Sequence, residues 1–190
     1  MANRAECSIR RPLTFSLSIF GRSAIICPLA FTRLFQFPGA TKSNMSVDVK
    51  AETVIARPRS DVAGIVFDPK SEVLWIEGMK QVFPQSAGNL SKGSRLERRG
   101  IMAGLEYVSD VLVTKDEPEK MLEFSSPEPF EMKIRYNLDD VDGGTAIKIR
   151  IQSVGDVSRI AMPPVVLAGK VREDIEGSLK KLKKHMENGS

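Results

Sequence analysis

Two apolar periods dominate the chain, and they meet near its end. From Val165 to about Met186, Leu167, Val171, Ile175, Leu179, Leu182 and Met186 recur at three- and four-residue steps. That spacing predicts a helix with one apolar stripe. Lys170, Arg172, Glu173, Asp174, Glu176 and the Lys180–Lys184 cluster fall mostly on the rest of its circumference. Pro163 and Pro164 mark its start, where a missing amide donor costs nothing. Just upstream the period changes to two. Phe130, Met132, Ile134, Tyr136 and Leu138 alternate with Glu131, Lys133, Arg135, Asn137 and Asp139. After the turn Asp142-Gly143-Gly144, Ile147, Ile149 and Ile151 alternate with Lys148, Arg150 and Gln152. This is a hairpin with one apolar and one charged face. A long amphipathic helix must cover something apolar, and this sheet face supplies it.

The rest of the chain fits around that pair. Val47–Ala56 alternates and reads as a first strand, ended by Arg57-Pro58. Ser60 is an expected N-cap for a short helix holding Val62, Ile65, Val66 and Phe67, broken by Asp68-Pro69. Ser71 caps a second short helix with Val73, Leu74 and Trp75, closed by Gly78. Strands follow at Met79–Pro84, Ser94–Met102, Leu105–Thr114 and Met121–Ser126, with a polar loop over Ser86–Gly93. Asp116-Glu117-Pro118 and Pro127-Glu128-Pro129 read as turns. The order is β-α-α-β-β-β-β-β-β-α, with no internal repeat.

Charge changes the picture only at the N-terminus. The 190 residues carry 28 basic and 24 acidic side chains. Residues 1–44 hold six of the basic residues and one acidic, leaving 22 against 23 for the remainder. The domain is near neutral and has no basic stripe interleaved with aromatics, so nucleic acid is not an expected partner. Both cysteines, Cys7 and Cys27, also lie in that first segment. The domain from Met45 onward needs no disulfide and suits a reducing compartment. Residues 1–44 are arginine- and serine-bearing and acid-poor. They read either as an organellar transit peptide, a functional tail, or as residues preceding a true start at Met45, which would make the protein cytoplasmic. In each case they are an extension, expected to be disordered, and 45–190 is the domain. No apolar run reaches the length of a membrane span. The lysine cluster allows at most transient contact with an anionic membrane surface.

Some local residues are familiar. Ala56-Arg57-Pro58, Phe67-Asp68-Pro69, Trp75-Ile76-Glu77-Gly78, Gly93, Glu117-Pro118-Glu119-Lys120-Met121-Leu122 and Leu179-Lys180-Lys181-Leu182-Lys183 appear in the order found in one superfamily. Over about Ser46–Glu187 the chain resembles the START-like, polyketide cyclase/dehydrase and lipid-transport superfamily, SRPBCC. The resemblance implies an α+β helix-grip fold, with a curved seven-stranded antiparallel sheet around a long C-terminal helix. It also implies a hydrophobic cavity between the two. That superfamily shares a scaffold and no catalytic motif, so the resemblance names a container and not its contents.

Candidate chemistry is sparse. The single histidine, His185, stands among lysines near the end of the last helix and reads as a solvated helix-end residue, so no metal site is expected. No phosphate-binding motif is present, and no cofactor is expected. Trp75 is the only tryptophan and reads as a packing anchor or a cavity wall whose N–H needs an acceptor. Tyr136 shares the apolar face of Met132 and Ile134; Tyr107 shares a face with Leu105, Ser109, Val111 and Val113. Both are candidate polar groups in an apolar pocket, or core tyrosines satisfied by backbone. Arg98 shares a face with Leu96. If that face is inward the guanidinium must find an acid, from the chain or from a ligand; otherwise the strand is an exposed edge.

The expected function is binding or transport of a hydrophobic small molecule such as a lipid, isoprenoid or polyketide-like aromatic. Trp75, Arg98, Tyr107, Met132, Ile134, Tyr136, Ile149, Ile151, Val171 and Ile175 are the expected lining. A cyclase or dehydratase using Tyr107, Tyr136 or Arg98 to polarise a carbonyl is one alternative. A ligand-free interaction module, like the chaperone-activating branch of the superfamily, is the other. An inward carboxylate beside tyrosine or arginine favours the enzyme, hydroxyls alone the carrier, and a filled cavity the module. No catalytic motif is present, and oligomeric state is not indicated.

Overall fold

In a computed structural model, residues 46–85 and 88–189 are described. The expectations for residues 1–44 therefore lie outside the described residues. Strand β1 (Asp48–Ile55) is followed by helices α1 (Arg59–Val66) and α2 (Glu72–Trp75), then strands β2 (Met79–Pro84), β3 (Arg95–Met102), β4 (Leu105–Glu117), β5 (Met121–Ser126), β6 (Met132–Val141) and β7 (Gly144–Ser153). Helix α3 spans Pro164–Asn188. The seven strands form one antiparallel sheet in the order β1-β7-β6-β5-β4-β3-β2. This is the α+β helix-grip arrangement.

The period-two pattern lands as its chemistry requires. Met132, Ile134, Tyr136 and Leu138 of β6 pair across to Ser153, Ile151, Ile149 and Ile147 of β7, and these side chains are buried. The intervening Lys133, Asn137 and Lys148 stay on the outer face. Helix α3 lays Leu167, Val171, Ile175, Leu179 and Leu182 inward, all buried, and packs mainly on β1. Met186 is half-buried at its end.

Three local expectations need correction. Ser60 does not cap α1: the N-cap is Pro58, and the Ser60 hydroxyl turns to Asp61 Oδ1 instead. A proline here fixes the extended backbone that precedes the first turn. Ser71 stands at the N-cap of α2 but makes no capping bond; its Oγ donates to Asp68 Oδ2 at 2.7 Å. Strand β4 runs three residues past Thr114, through the supposed Asp116-Glu117-Pro118 turn. A register shift at Thr114 lets Lys115, Asp116 and Glu117 continue to pair with Glu123, Leu122 and Met121.

The turn between α2 and β2 is held by two glycines. Gly78 has φ +72° and any Cβ there would sit 2.3 Å from the Ile101 carbonyl oxygen. Gly100 faces it, with the Gly78 oxygen 2.7 Å from where a Cβ would lie. The backbones therefore touch, and the Ile101 amide donates to Gly78 O at 2.9 Å. That contact fixes Ile76, Glu77 and Met79 at the rim of the concave face.

Candidate functional site

One helical stripe cannot cover the whole concave face, and a cavity remains between sheet and α3. Its walls come from Met132, Ile134 and Tyr136 of β6, Ile149 and Ile151 of β7, and Val171, Asp174, Ile175 and Ser178 of α3. Arg98, Ile101 and Met102 of β3, Tyr107 of β4, Ser126 of β5 and Trp75, Ile76, Glu77 and Met79 complete it. All ten residues expected from the sequence line this one space. Free volume is about 50 Å³. A water requires roughly 10–15 Å³ on this scale, so the cavity as it stands admits a few waters. A larger guest needs side chains to withdraw, and three of the walls are flexible methionines.

The polar end of the cavity is built on a fully buried ion pair. Arg98 points inward from β3, 2% exposed, and meets Glu72 of α2, 0% exposed. Nε donates to Glu72 Oε2 at 2.7 Å, and Nη2 donates to Oε1. The acid that an inward Arg98 requires is thus supplied by the chain itself. The guanidinium also lies 4.5 Å over the Phe124 ring. Burial works against the charge on Arg98, but the Glu72 carboxylate and the nearby tyrosines outweigh it and hold its pKa above the ordinary value. Burial pushes Glu72 upward, opposed by Arg98. The bidentate geometry is that of an ionised pair. Glu72 itself stands behind Arg98 and does not line the cavity.

Tyr136 is buried between two rings, edge to face with Trp75 at 5.7 Å and with Phe124 at 5.3 Å. Burial raises its pKa strongly, only partly offset by Arg98, so the phenol stays protonated. Tyr107 is half-buried; burial raises it too, and its hydroxyl reaches Met79 Sδ at 4.0 Å. Trp75 is fully buried, yet its Nε1 has no hydrogen-bond partner among the described residues. It is both the expected anchor of α2 and a wall of the cavity.

At the mouth, Asp174 of α3 accepts the Ala103 amide at 2.6 Å, tying α3 to the β3–β4 turn. Burial raises the Asp174 pKa, and Glu77 and Glu173 push the same way. Ser178 accepts the Glu77 amide at 2.8 Å and donates to the Asp174 carbonyl at 2.7 Å, tying α3 to the α2–β2 turn. Asp174, Ser178 and Glu72 were not among the expected residues. For two of them a signal was available: Val171, Asp174, Ile175 and Ser178 are one i, i+3, i+4, i+7 face. His185 is half-buried in the closing turns of α3, less solvated than expected. Among the described residues no cluster of histidine, cysteine and carboxylates suits a metal ion. No helix among them is long and apolar enough to cross a membrane.

A long C-terminal helix gripped by a seven-stranded sheet, with a cavity between them, is a START-like fold. No protein-family model matches the chain, and no curated protein sequence matches it. Solved structures do. A START superfamily protein from Mycobacterium smegmatis is similar at TM-score 0.59 and 17% identity, over 76% of this chain and 99% of that one. Ara h 8.0201 is similar at TM-score 0.58 and 13% identity, over 76% and 99%. The di-domain ARO/CYC protein BexL, from the BE-7585A biosynthetic pathway, is similar at TM-score 0.61 and 14% identity. That match covers 77% of this chain and 52% of BexL. The fold is therefore START/SRPBCC-like, and at these identities the likeness speaks to fold alone.

Proposed function

We propose that this protein binds a small hydrophobic molecule in the cavity between the sheet and α3, as a carrier or receptor. The observation that carries the reading is that Met132, Ile134, Ile149, Ile151, Val171 and Ile175 face a common space that no segment among the described residues fills. Apolar walls with a few polar groups at one end are what a small-molecule site requires. Proteins of the same fold include a START protein and an ARO/CYC protein, in keeping with ligand binding. A solvatochromic apolar dye is expected to bind the full chain with one-site stoichiometry at micromolar affinity, about −8 kcal/mol. Ile134→Trp is expected to fill the space and weaken dye binding at least tenfold, with little change in the denaturant midpoint. In a packed core the same change would cost about 1–3 kcal/mol. No dye binding by the wild type, with a large stability loss in the mutant, would refute the container.

One observation favours a second reading, a cyclase or dehydratase. Asp174 and Tyr107 line the same cavity as a carboxylate and a phenol, and the Tyr107 pKa is raised by burial first and, in smaller part, by the Glu72 and Asp174 carboxylates. On that reading Asp174 accepts a proton and Tyr107 donates to a carbonyl oxygen. Asp174→Asn would then abolish turnover of a poly-β-keto thioester while leaving its binding intact; no turnover by the wild type excludes it.

A further inference from the structure

Among the described residues one buried polar atom of the cavity wall lacks a partner, the Trp75 Nε1 donor, and the charges around the cavity are balanced or negative. Building on the binding reading above, we propose that the cavity selects an uncharged ligand bearing a carbonyl-type acceptor, which Trp75 Nε1 and Tyr107 Oη recognise by hydrogen bonding. Trp75 is the stronger half of the case. An indole N–H has only a donor function, and here it is buried without an acceptor among the described residues while its side chain forms part of the wall. An unmet buried donor is costly, and native structures rarely keep one without cause. The Tyr107 hydroxyl donates only weakly, to a thioether sulfur at 4.0 Å. The two serine hydroxyls of the wall are already engaged. Ser126 bonds Ser109 Oγ at 2.8 Å and the Glu128 carbonyl at 2.9 Å, and Ser178 bridges Glu77 and Asp174.

Charge excludes the commonest alternative, a fatty-acid-like carboxylate. Among the described residues Arg98 is the one cation that lines the cavity, and Glu72 takes two of its nitrogens. Glu77 and Asp174 add two carboxylates to the wall, and Lys181, which pairs with Glu77 at 2.8 Å, lies outside it. An incoming carboxylate would lose its hydration and find no uncommitted cation. An ammonium would meet Asp174 but leave the indole and phenol donors unmet and sit near Arg98. A ketone or ester oxygen supplies the acceptor that such donors lack and brings no charge.

The test uses four naphthalene probes of matched size: 2-acetylnaphthalene, 2-ethylnaphthalene, 2-naphthoate and protonated 2-naphthylmethylamine. Because Trp75 is the only tryptophan in the chain, its indole N–H gives one cross-peak in a nitrogen-15 spectrum of the full-length protein. The ketone is expected to bind about tenfold tighter than the hydrocarbon, the yield of two modest hydrogen bonds, and tighter than either ion. It alone should move the indole proton downfield. Tyr107→Phe should remove several-fold of the ketone's advantage and leave hydrocarbon affinity unchanged. Trp75→Phe should do the same; if that variant does not fold, the wild-type indole shift stands in its place. Equal affinity for ketone and hydrocarbon, tightest binding by an ion, or an unmoved indole proton in the ketone complex overturns this selection and leaves the container intact. Failure of all four probes to bind overturns both.

Discussion

Breaking the Arg98–Glu72 pair from one side or the other should destabilise the fold with different pH dependence. Both side chains are out of solvent, 2% and 0% exposed, and share two hydrogen bonds. Removing one partner of such a pair costs about 3–5 kcal/mol, because the other is left charged and unsatisfied. That is a large share of the ~5–15 kcal/mol that holds an ordinary domain together. Glu72→Gln strands a guanidinium that cannot shed its proton, so the loss should be similar at every accessible pH. Arg98→Met strands a carboxylate that can escape by protonation. Its pKa is already raised by burial from an ordinary value of 4.5, and without Arg98 it rises further. A raised carboxylate pKa gives stability that is full below the unfolded value and is lost as pH climbs through the folded value. The Arg98→Met deficit should therefore be largest near neutral pH and shrink as the pH approaches 4. Replacing both, as Glu72→Leu with Arg98→Met, should recover most of the loss. Urea midpoints of the four proteins between pH 4 and 8 measure all of this. Single-variant losses below about 1 kcal/mol, or an Arg98→Met deficit that does not narrow in acid, would refute a dry, ionised pair.

Two further outcomes concern the scaffold. Ile175→Ala should cost about 2–5 kcal/mol, since Ile175 is 4% exposed in the stripe of α3. Lys181→Ala, whose partner Glu77 is itself well exposed, should cost no more than about 1 kcal/mol; comparable penalties in denaturant titrations would mean the stripe does not carry the packing. Protein beginning at Met45 should match the thermal midpoint of the full chain, because every described strand and helix lies beyond that residue. A lower midpoint or a broader transition would show that residues 1–44 contribute to the fold.

How much of this fold was readable depends on how one-sided each element is. Strands β6 and β7 and helix α3 each bury one face and wet the other, so period and burial coincide residue by residue. The end of β4 broke that rule. Lys115, Asp116, Glu117 and Pro118 have the composition of a turn, yet the first three pair with β5 beyond the shift at Thr114. Charged residues on the outer face of a twisted sheet are legible as strand only through their partners. Lys115 stands across from Glu123, which also receives the Arg135 guanidinium, so this outer carboxylate is nearly buried among cations. A single sequence does not display such cross-strand pairs. The caps fared worse than the strands: Pro58 takes the N-cap position of α1, and at α2 Asp68 draws the Ser71 hydroxyl away from the helix amides.

The site divides along the same line. The apolar lining residues of β6, β7 and α3 were readable, since those faces exist whether or not anything covers them; Ile76, Met79, Ile101 and Met102, around the α2–β2 turn and the end of β3, were not. Those that line the cavity because the coverage ends were legible only through their spacing from the stripe. The cavity opens where the α3 stripe and the sheet diverge, so the polar flank of the stripe becomes part of the wall. Asp174 and Ser178 occupy that flank and bond to the β3–β4 turn and the α2–β2 turn respectively. Glu72 was hidden for another reason. Helix α2 is four residues long, too short for its period to say which way a glutamate points. The one available signal was indirect: an arginine on an inward strand face demands an acid, and α2 is the segment that passes above it. Buried polar groups are thus best sought by their need for partners. By that argument the indole N–H of Trp75, which has found none among the described residues, points to an acceptor brought by a ligand.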